Sequence, residues 1–264
     1  MHGMVNIAIK AARRAGEVMI RQLNQLEKLH VVEKGTNDFV SRVDQAAEEA
    51  IIEVIRDHYP DHAILAEESG KDGDHETCWI IDPLDGTTNY LHGFPVFSVS
   101  IAVAEGRELQ HGVVYDPLRQ EIFSASRGQG AQLDGRRIRV SRRQGLKGAL
   151  VATGFPYRLT ETQVDRYLQM LRAVMLATAG VRRPGSAALD LCYLAAGRVD
   201  GFWELGLNTW DIAAGALIIR EAGGRVSDFD GSDAYLESGN IVAGTPKVYS
   251  ALSKLLAPYS RDLP

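Results

Sequence analysis

Cysteine is nearly absent from this chain: Cys78 and Cys192 are the only two among 264 residues. Both lie inside apolar runs, which excludes a disulfide framework and predicts buried thiols. Long hydrophobic runs are missing too, since none reaches the roughly 18 residues of a membrane-crossing helix. The amino terminus carries no basic-then-apolar leader pattern. A reduced cytoplasmic setting with no membrane attachment is the expectation. Basic charge is not in excess: 29 Lys and Arg face 34 Asp and Glu, a formal net charge of -5. That balance argues against nucleic-acid binding as the main task, and no direct sequence-specific contact with nucleic acid is expected. Internal repeats are lacking as well. What is present is a 45% hydrophobic share, enough at this length for one large or two intimately packed subdomains.

The first half reads as α+β and the second as α/β. Ile7, Ala8, Ala11, Ala12, Ala15, Val18, Met19 and Leu23 recur at helical spacing, with Asn6 placed as an N-cap. A second helix spans about 44–57. Strands are predicted at 64–66, 78–81, 97–104, 112–115, 121–126 and 137–140, separated by Gly, Pro and Asp turns. The polar stretch 142–148 makes the best boundary, giving subdomains 1–145 and 146–264. Beyond it, strands at 149–153, 181–183, 199–203, 225–229 and 241–243 alternate with helices near 164–176, 187–196, 210–222 and 248–256.

Trp79-Ile80-Ile81-Asp82-Pro83-Leu84-Asp85-Gly86-Thr87-Thr88-Asn89 is the most informative segment. An apolar run stops on two carboxylates three residues apart, so two hard oxygen ligands sit at a strand end. Pro83, which has no N–H to give, is expected to end the ladder. The chain then turns through Asp85-Gly86 into small residues whose backbone N–H groups suit an anion. Carboxylates beside such a cradle suit a divalent cation holding a phosphate, and Mg²⁺ is the metal to expect. On its own, however, Asp-Pro and Asp-Gly chemistry makes ordinary turns. Further acids stand at other element ends: Asp44 and Asp211 in first helical turns, Glu67 after the run 63–66. Each has a plain alternative, as a helix cap or a solvated acid.

Taken together these segments have a family likeness. Ala66-Glu67-Glu68-Ser69, Trp79 to Asn89 and Trp210 to Gly224 resemble, in order and spacing, the three signature segments of the inositol monophosphatase family of Mg²⁺-dependent, lithium-sensitive phosphatases. Gly185-Ser186-Ala187-Ala188-Leu189-Asp190, Ala196 to Gly201, Tyr115-Asp116-Pro117 and Arg127 to Ala131 look most like a bacterial branch of that family. The likeness runs from about Met4 to the last helix. It implies a layered α-β-α-β-α sandwich with the site between the halves, and a homodimer.

For the site, the resemblance implies two groups of metal ligands: Glu67, Asp82 and the Leu84 carbonyl for the metal that activates water, and Asp82, Asp85 and Asp211 for the metal at the leaving oxygen. Asp82 bridges ions about 3.5–4 Å apart. Thr87 with Asp44 resembles the pair that orients and deprotonates the attacking water, and the Gly86 and Thr87 amides bind phosphate. Glu204 matches a position accepting hydrogen bonds from inositol hydroxyls, with Gly185, Ser186 and Ala187 lining the same pocket; a carboxylate facing a polyol pairs acceptors with donors. Inositol 1-phosphate is the leading substrate. Related bisphosphate nucleotidases and sugar phosphatases share the metal motif and stay open as alternatives.

A binding role is the rival. Arg136, Arg137, Arg139, Arg142, Arg143 and Lys147 form a basic run, and Arg182-Arg183 flank a second turn. Such runs are usually solvated faces, and no aromatic interleaving accompanies this one. The bacterial branch is nevertheless associated with ribosomal-RNA transcription antitermination through Nus factors and RNA polymerase, which implies a second role, with Arg182 and Arg183 as the expected contact. Lys34 is assigned no role.

Overall fold

The computed structural model describes residues 2–23, 31–35, 38–156 and 160–260. Helix α1 (Gly3–Leu23) is followed by the antiparallel strands β1 (Val31–Gly35) and β2 (Asp38–Ser41) and by helix α2 (Arg42–Arg56). Then come β3 (Ala63–Ala66), β4 (Gly70–Asp72), β5 (Thr77–Asp85), the short helix α3 (Thr87–Leu91), β6 (Ser98–Glu105), β7 (Glu108–Asp116), β8 (Glu121–Ser126), β9 (Gly130–Leu133) and β10 (Arg136–Arg137). The rest is β11 (Leu150–Thr153), α4 (Glu161–Ala177), β12 (Gly180–Arg182), α5 (Ala187–Ala195), β13 (Gly201–Glu204), α6 (Thr209–Glu221), β14 (Arg225–Ser227), α7 (Tyr235–Ser238), β15 (Ile241–Gly244) and α8 (Pro246–Leu256).

Strands β3 to β10 form an eight-stranded sheet in the order β10-β9-β8-β7-β6-β5-β3-β4, antiparallel except for the parallel β3–β5 pair. The later strands form a five-stranded sheet, β12-β11-β13-β15-β14, parallel on one side and antiparallel on the other. Both sheets are covered on both faces, which is why their strands read as near-continuous apolar runs. In the large sheet Trp79, Ile81, Ile101 and Val113 face α1 and α2, while the alternate residues Ile80, Ala102 and Val114 join the core around α5 and α6. The small sheet divides likewise: Ala152, Phe202 and Ala243 face that central core, and Val151, Trp203 and Val242 face α4 and α8. The layers therefore run α-β-α-β-α, as expected. Helix α6 comes so close to β7 that a Cβ on Gly112 would stand 2.8 Å from the Ala214 carbonyl oxygen.

Several boundaries differ from expectation for identifiable reasons. Pro83 does not end the ladder: β5 continues to Asp85, and the register slips between Asp82 (opposite Ser100) and Asp85 (opposite Ser98). A bulge accommodates the missing N–H. Asn6 is inside α1, and it is His2 Nδ1 that accepts the Met4 amide at 3.3 Å. The strand expected at 137–140 is only β10, after which the Val140 amide bonds to the Ala222 carbonyl oxygen at the end of α6. Strands β4 and β9 were too short and polar to be expected. Cys192 is buried and Cys78 only half-buried; both are free. Lys34 falls in β1, and its side chain lies outside the described residues. Among the described residues no helix is long and apolar enough to cross a membrane.

Candidate active site

One cleft of about 490 Å³ gathers residues from both sheets, among them Glu67, Asp82, Leu84, Asp85, Gly86, Thr87, Gly185, Ser186, Ala187, Glu204 and Asp211. Every site residue predicted from sequence except Asp44 lines it. Asp44 stands behind, fully buried in the first turn of α2. The Thr87 hydroxyl lies 3.0 Å from Asp44 Oδ1 and 3.1 Å from the Leu84 carbonyl oxygen, so its single proton serves either acceptor.

The acids are held separately. Asp82 sits in the β5 bulge, and its Oδ1 accepts the Leu84 amide at 2.9 Å. Asp85 accepts the Ser186 hydroxyl at 2.5 Å and the Ala188 amide at 2.9 Å, with the Ala187 amide at 3.3 Å and the Ser98 hydroxyl at 3.4 Å. The start of α5 is thereby tied to the end of β5, and the Ser186 hydroxyl is already engaged with Asp85. Asp211 Oδ2 accepts the Asn208 amide at 2.7 Å as part of a capping box on α6. Ser100 Oγ donates to the Trp210 carbonyl oxygen at 3.1 Å and anchors that helix start to β6. Glu67 follows β3, and the loop after it is fixed by the buried Glu48 carboxylate, which accepts the Glu68 and Ser69 amides, both at 2.8 Å.

Crowding of like charge dominates the electrostatics. Burial, then Glu67, Asp85 and Asp211, push the Asp82 carboxyl well above the usual carboxylate range. Burial also raises Asp85, against the opposing hydrogen bonds from Ser186, Ala188 and Ala187. Glu204, which keeps one side on the cleft, is pushed up to about 8 by burial and by Asp211 and Asp85, with Arg183 opposing. These groups do not already form a closed cage: among the described residues no three His, Cys, Asp or Glu side chains are gathered as a ready coordination shell. Asp82, Asp85 and Asp211 instead each keep a hydrogen bond to their own surroundings.

Gly86 has φ 96°, and a Cβ there would stand 3.0 Å from the Val96 carbonyl oxygen and 3.1 Å from that of Gly185. Only glycine meets both demands. Asn89 Nδ2 closes the same corner, lying 2.7, 2.9 and 3.2 Å from the Val96, Pro184 and Gly185 carbonyl oxygens. Beneath Glu204, its carboxylate rests on Gly154, where a Cβ would come 1.7 Å from Oε1. The Tyr167 hydroxyl pins that glycine by donating to its carbonyl oxygen at 2.6 Å.

Sequence reasoning missed Glu48, Asn89, Gly154 and Asp190, and it did not place Arg183 on the cleft. Arg182 and Arg183 are both exposed, Arg182 at the end of β12 and Arg183 also on the lining of the cleft, with its guanidinium 5.2 Å over the Phe155 ring. Glu48 carried a signal of its own, since it lies four residues after Asp44 on the same helical face.

A five-layered fold whose acid-lined cleft uses both sheets defines a class of protein with an oxygen-rich, anion-compatible centre. Its relatives are consistent with that description. A family model described as "Inositol monophosphatase family" matches residues 1–263, and the chain belongs to that family. The Nus factor SuhB of Pseudomonas aeruginosa is 53% identical over 266 residues, covering 98% of this chain and 97% of that protein. The extragenic suppressor protein suhB of Bartonella henselae superposes with a TM-score of 0.94 at 43% identity, covering 97% of this chain and 98% of the other. An inositol monophosphatase from Anabaena gives 0.86 at 40% identity, over 99% and 96% of the two chains.

The raised carboxyls give stability a definite pH dependence. Glu204 binds its proton more tightly folded (about 8) than at its ordinary value of 4.5, so its contribution is complete below about 4.5 and is lost as pH rises through about 8. With divalent cations chelated, the urea midpoint should fall between pH 5 and pH 8, roughly the interval of that shift. Glu204→Gln should remove part of the fall; an unchanged fall in the variant would contradict the assignment.

Proposed function

We propose that this phosphatase-family chain is a Mg²⁺-dependent phosphomonoesterase that hydrolyses inositol 1-phosphate to inositol and phosphate. The observation that carries the reading is the convergence of Glu67, Asp82, Asp85 and Asp211 on one cleft, facing Glu204. Carboxylate and carbonyl oxygens are hard donors, and no thiol or imidazole lines the cleft among the described residues. That donor set fits Mg²⁺. Glu67, Asp82 and the Leu84 carbonyl would hold it on one side, and Asp82, Asp85 and Asp211 on the other. When bound, the metal supplies Lewis acidity that screens the phosphate and makes water a better nucleophile.

The remaining work falls to the chain. Thr87, donating toward Asp44, accepts a hydrogen bond from the attacking water and passes its proton to that buried carboxylate. The Gly86 and Thr87 amides hold phosphate oxygens while the water oxygen bonds to phosphorus and the bond to the inositol oxygen breaks. The departing alkoxide takes its proton from solvent, and Glu204 with the Gly185–Ala187 loop orients the ring. No side-chain nucleophile is needed. The family resemblance supports a homodimer as the working unit and the cytoplasm as its place.

A second reading has its own support. The Pseudomonas aeruginosa relative is named a Nus factor, so we read a further role in ribosomal-RNA antitermination complexes with Nus proteins and RNA polymerase. Arg182 and Arg183 are both exposed at that turn, and Arg182, which does not line the cleft, is the one whose change separates such a contact from catalysis. Arg182→Glu should abolish co-purification with RNA polymerase and leave phosphate release unchanged; retained binding would remove Arg182 from the contact.

For the phosphatase, release of phosphate from inositol 1-phosphate should require Mg²⁺. It should fall at least about a hundredfold in Asp82→Asn and in Asp211→Asn, as expected when a group stabilising transition-state charge is lost. No turnover by folded wild-type protein with Mg²⁺ would shift the weight to the binding role and the related nucleotidase and sugar phosphatase substrates.

A further inference from the structure

Asp190 is a cleft residue with no task in the chemistry above. It lies in the first turn of α5 and is only 2% exposed. Its neighbours in the cleft are satisfied: Asp82 takes the Leu84 amide, Asp85 the Ser186 hydroxyl, and Asp211 the Asn208 amide. Among the described residues no hydrogen bond or ion pair reaches the Asp190 carboxylate, although it lines the same cleft. A buried carboxyl without a donor is costly and needs a reason. An apolar side chain would fit this otherwise apolar turn, Ala187-Ala188-Leu189-Asp190-Leu191, at lower cost.

The surroundings indicate what the missing donor is. The charged groups that act on Asp190 are Glu204 first, then Asp85, with Arg183 in opposition. Asp190 thus belongs to the Glu204 end of the cleft, where two carboxyls stand near one guanidinium. A neutral ligand carrying several hydroxyls gives both acids donors without adding charge. A second phosphate or carboxylate would be driven against two acids. The cavity of about 490 Å³ is at the small end for ligand sites, enough for a phosphate and one ring.

We propose that Asp190 is a specificity-determining residue: with Glu204 it accepts hydrogen bonds from hydroxyls of the leaving group, restricting the cleft to phosphate monoesters of neutral polyols. The assignment rests on the phosphomonoesterase reading. Its test compares wild type, Asp190→Asn and Asp190→Ala in the presence of Mg²⁺, with calorimetric binding and turnover of inositol 1-phosphate, phenyl phosphate and fructose 1,6-bisphosphate.

Both variants should raise Kd and KM for inositol 1-phosphate about tenfold, the loss expected when a hydroxyl buried with the ligand loses its partner, with kcat little changed. Phenyl phosphate, which has no hydroxyls to donate, should be unaffected, and the preference over the bisphosphate should narrow. Parallel loss on phenyl phosphate, or unchanged binding of inositol 1-phosphate, overturns the role. Should the alanine variant not fold, the nearly isosteric asparagine decides. If the wild type binds inositol 1-phosphate without hydrolysing it and Asp190→Asn weakens that binding, the phosphatase reading fails while Asp190 keeps its role. Binding of neither ester by the wild type overturns both.

Discussion

Mutual repulsion among carboxylates that share a poorly hydrated cleft is the constraint on which the rest of this structure depends. Asp82 feels Glu67, Asp85 and Asp211 together, and a protein would keep such a group only where something offsets the charge. Part of the offset is built in. The opening of α5 turns a hydroxyl and two amides on Asp85, and the amide of Asn208, the N-cap of α6, holds Asp211. The partial positive charge at helix N-termini favours anions in the same sense. The remainder is left for a cation.

That arrangement explains why α5 and α6 are the central layer. Both start at the cleft, and both are buried along most of their length: Ile212 to Ile219 are all inaccessible or nearly so. A helix apolar all round needs protein on every side, and two sheets supply it. Glycines set how closely these layers meet, with Gly112 beneath α6 and Gly215 against Leu191. The acids of β5 and the acid of α6 are therefore fixed by packing, not by the loops alone. Removing either sheet would dismantle the cleft.

How much of this was legible in the sequence follows from how local each cause is. The segment from Trp79 to Asn89 was legible because a buried strand and its terminal acids are contiguous. The alternation of apolar runs and helical periods gave most elements within a few residues. Pro83 misled, since a bulge can absorb a missing donor only when the partner strand is known. The layering came from resemblance, because no period tells which sheet a helix faces. Glu48, Asn89 and Gly154 act across separations of roughly 20 to 95 residues or through a clearance no pattern encodes. Asp190 stood in the sequence only as the last residue of the Gly185–Asp190 segment, and nothing local tells that it or Arg183 lines the cleft.

The most direct measurement of the central claim is calorimetric titration of Mg²⁺ into the metal-free protein near pH 6.5 in buffers of different ionisation enthalpy. If crowding holds Asp82 and its neighbours partly protonated, metal binding must release protons, and the apparent enthalpy will vary with the buffer. That release should disappear in Asp82→Asn. Tight Mg²⁺ binding with no buffer dependence, or proton release unchanged in the variant, would contradict the account.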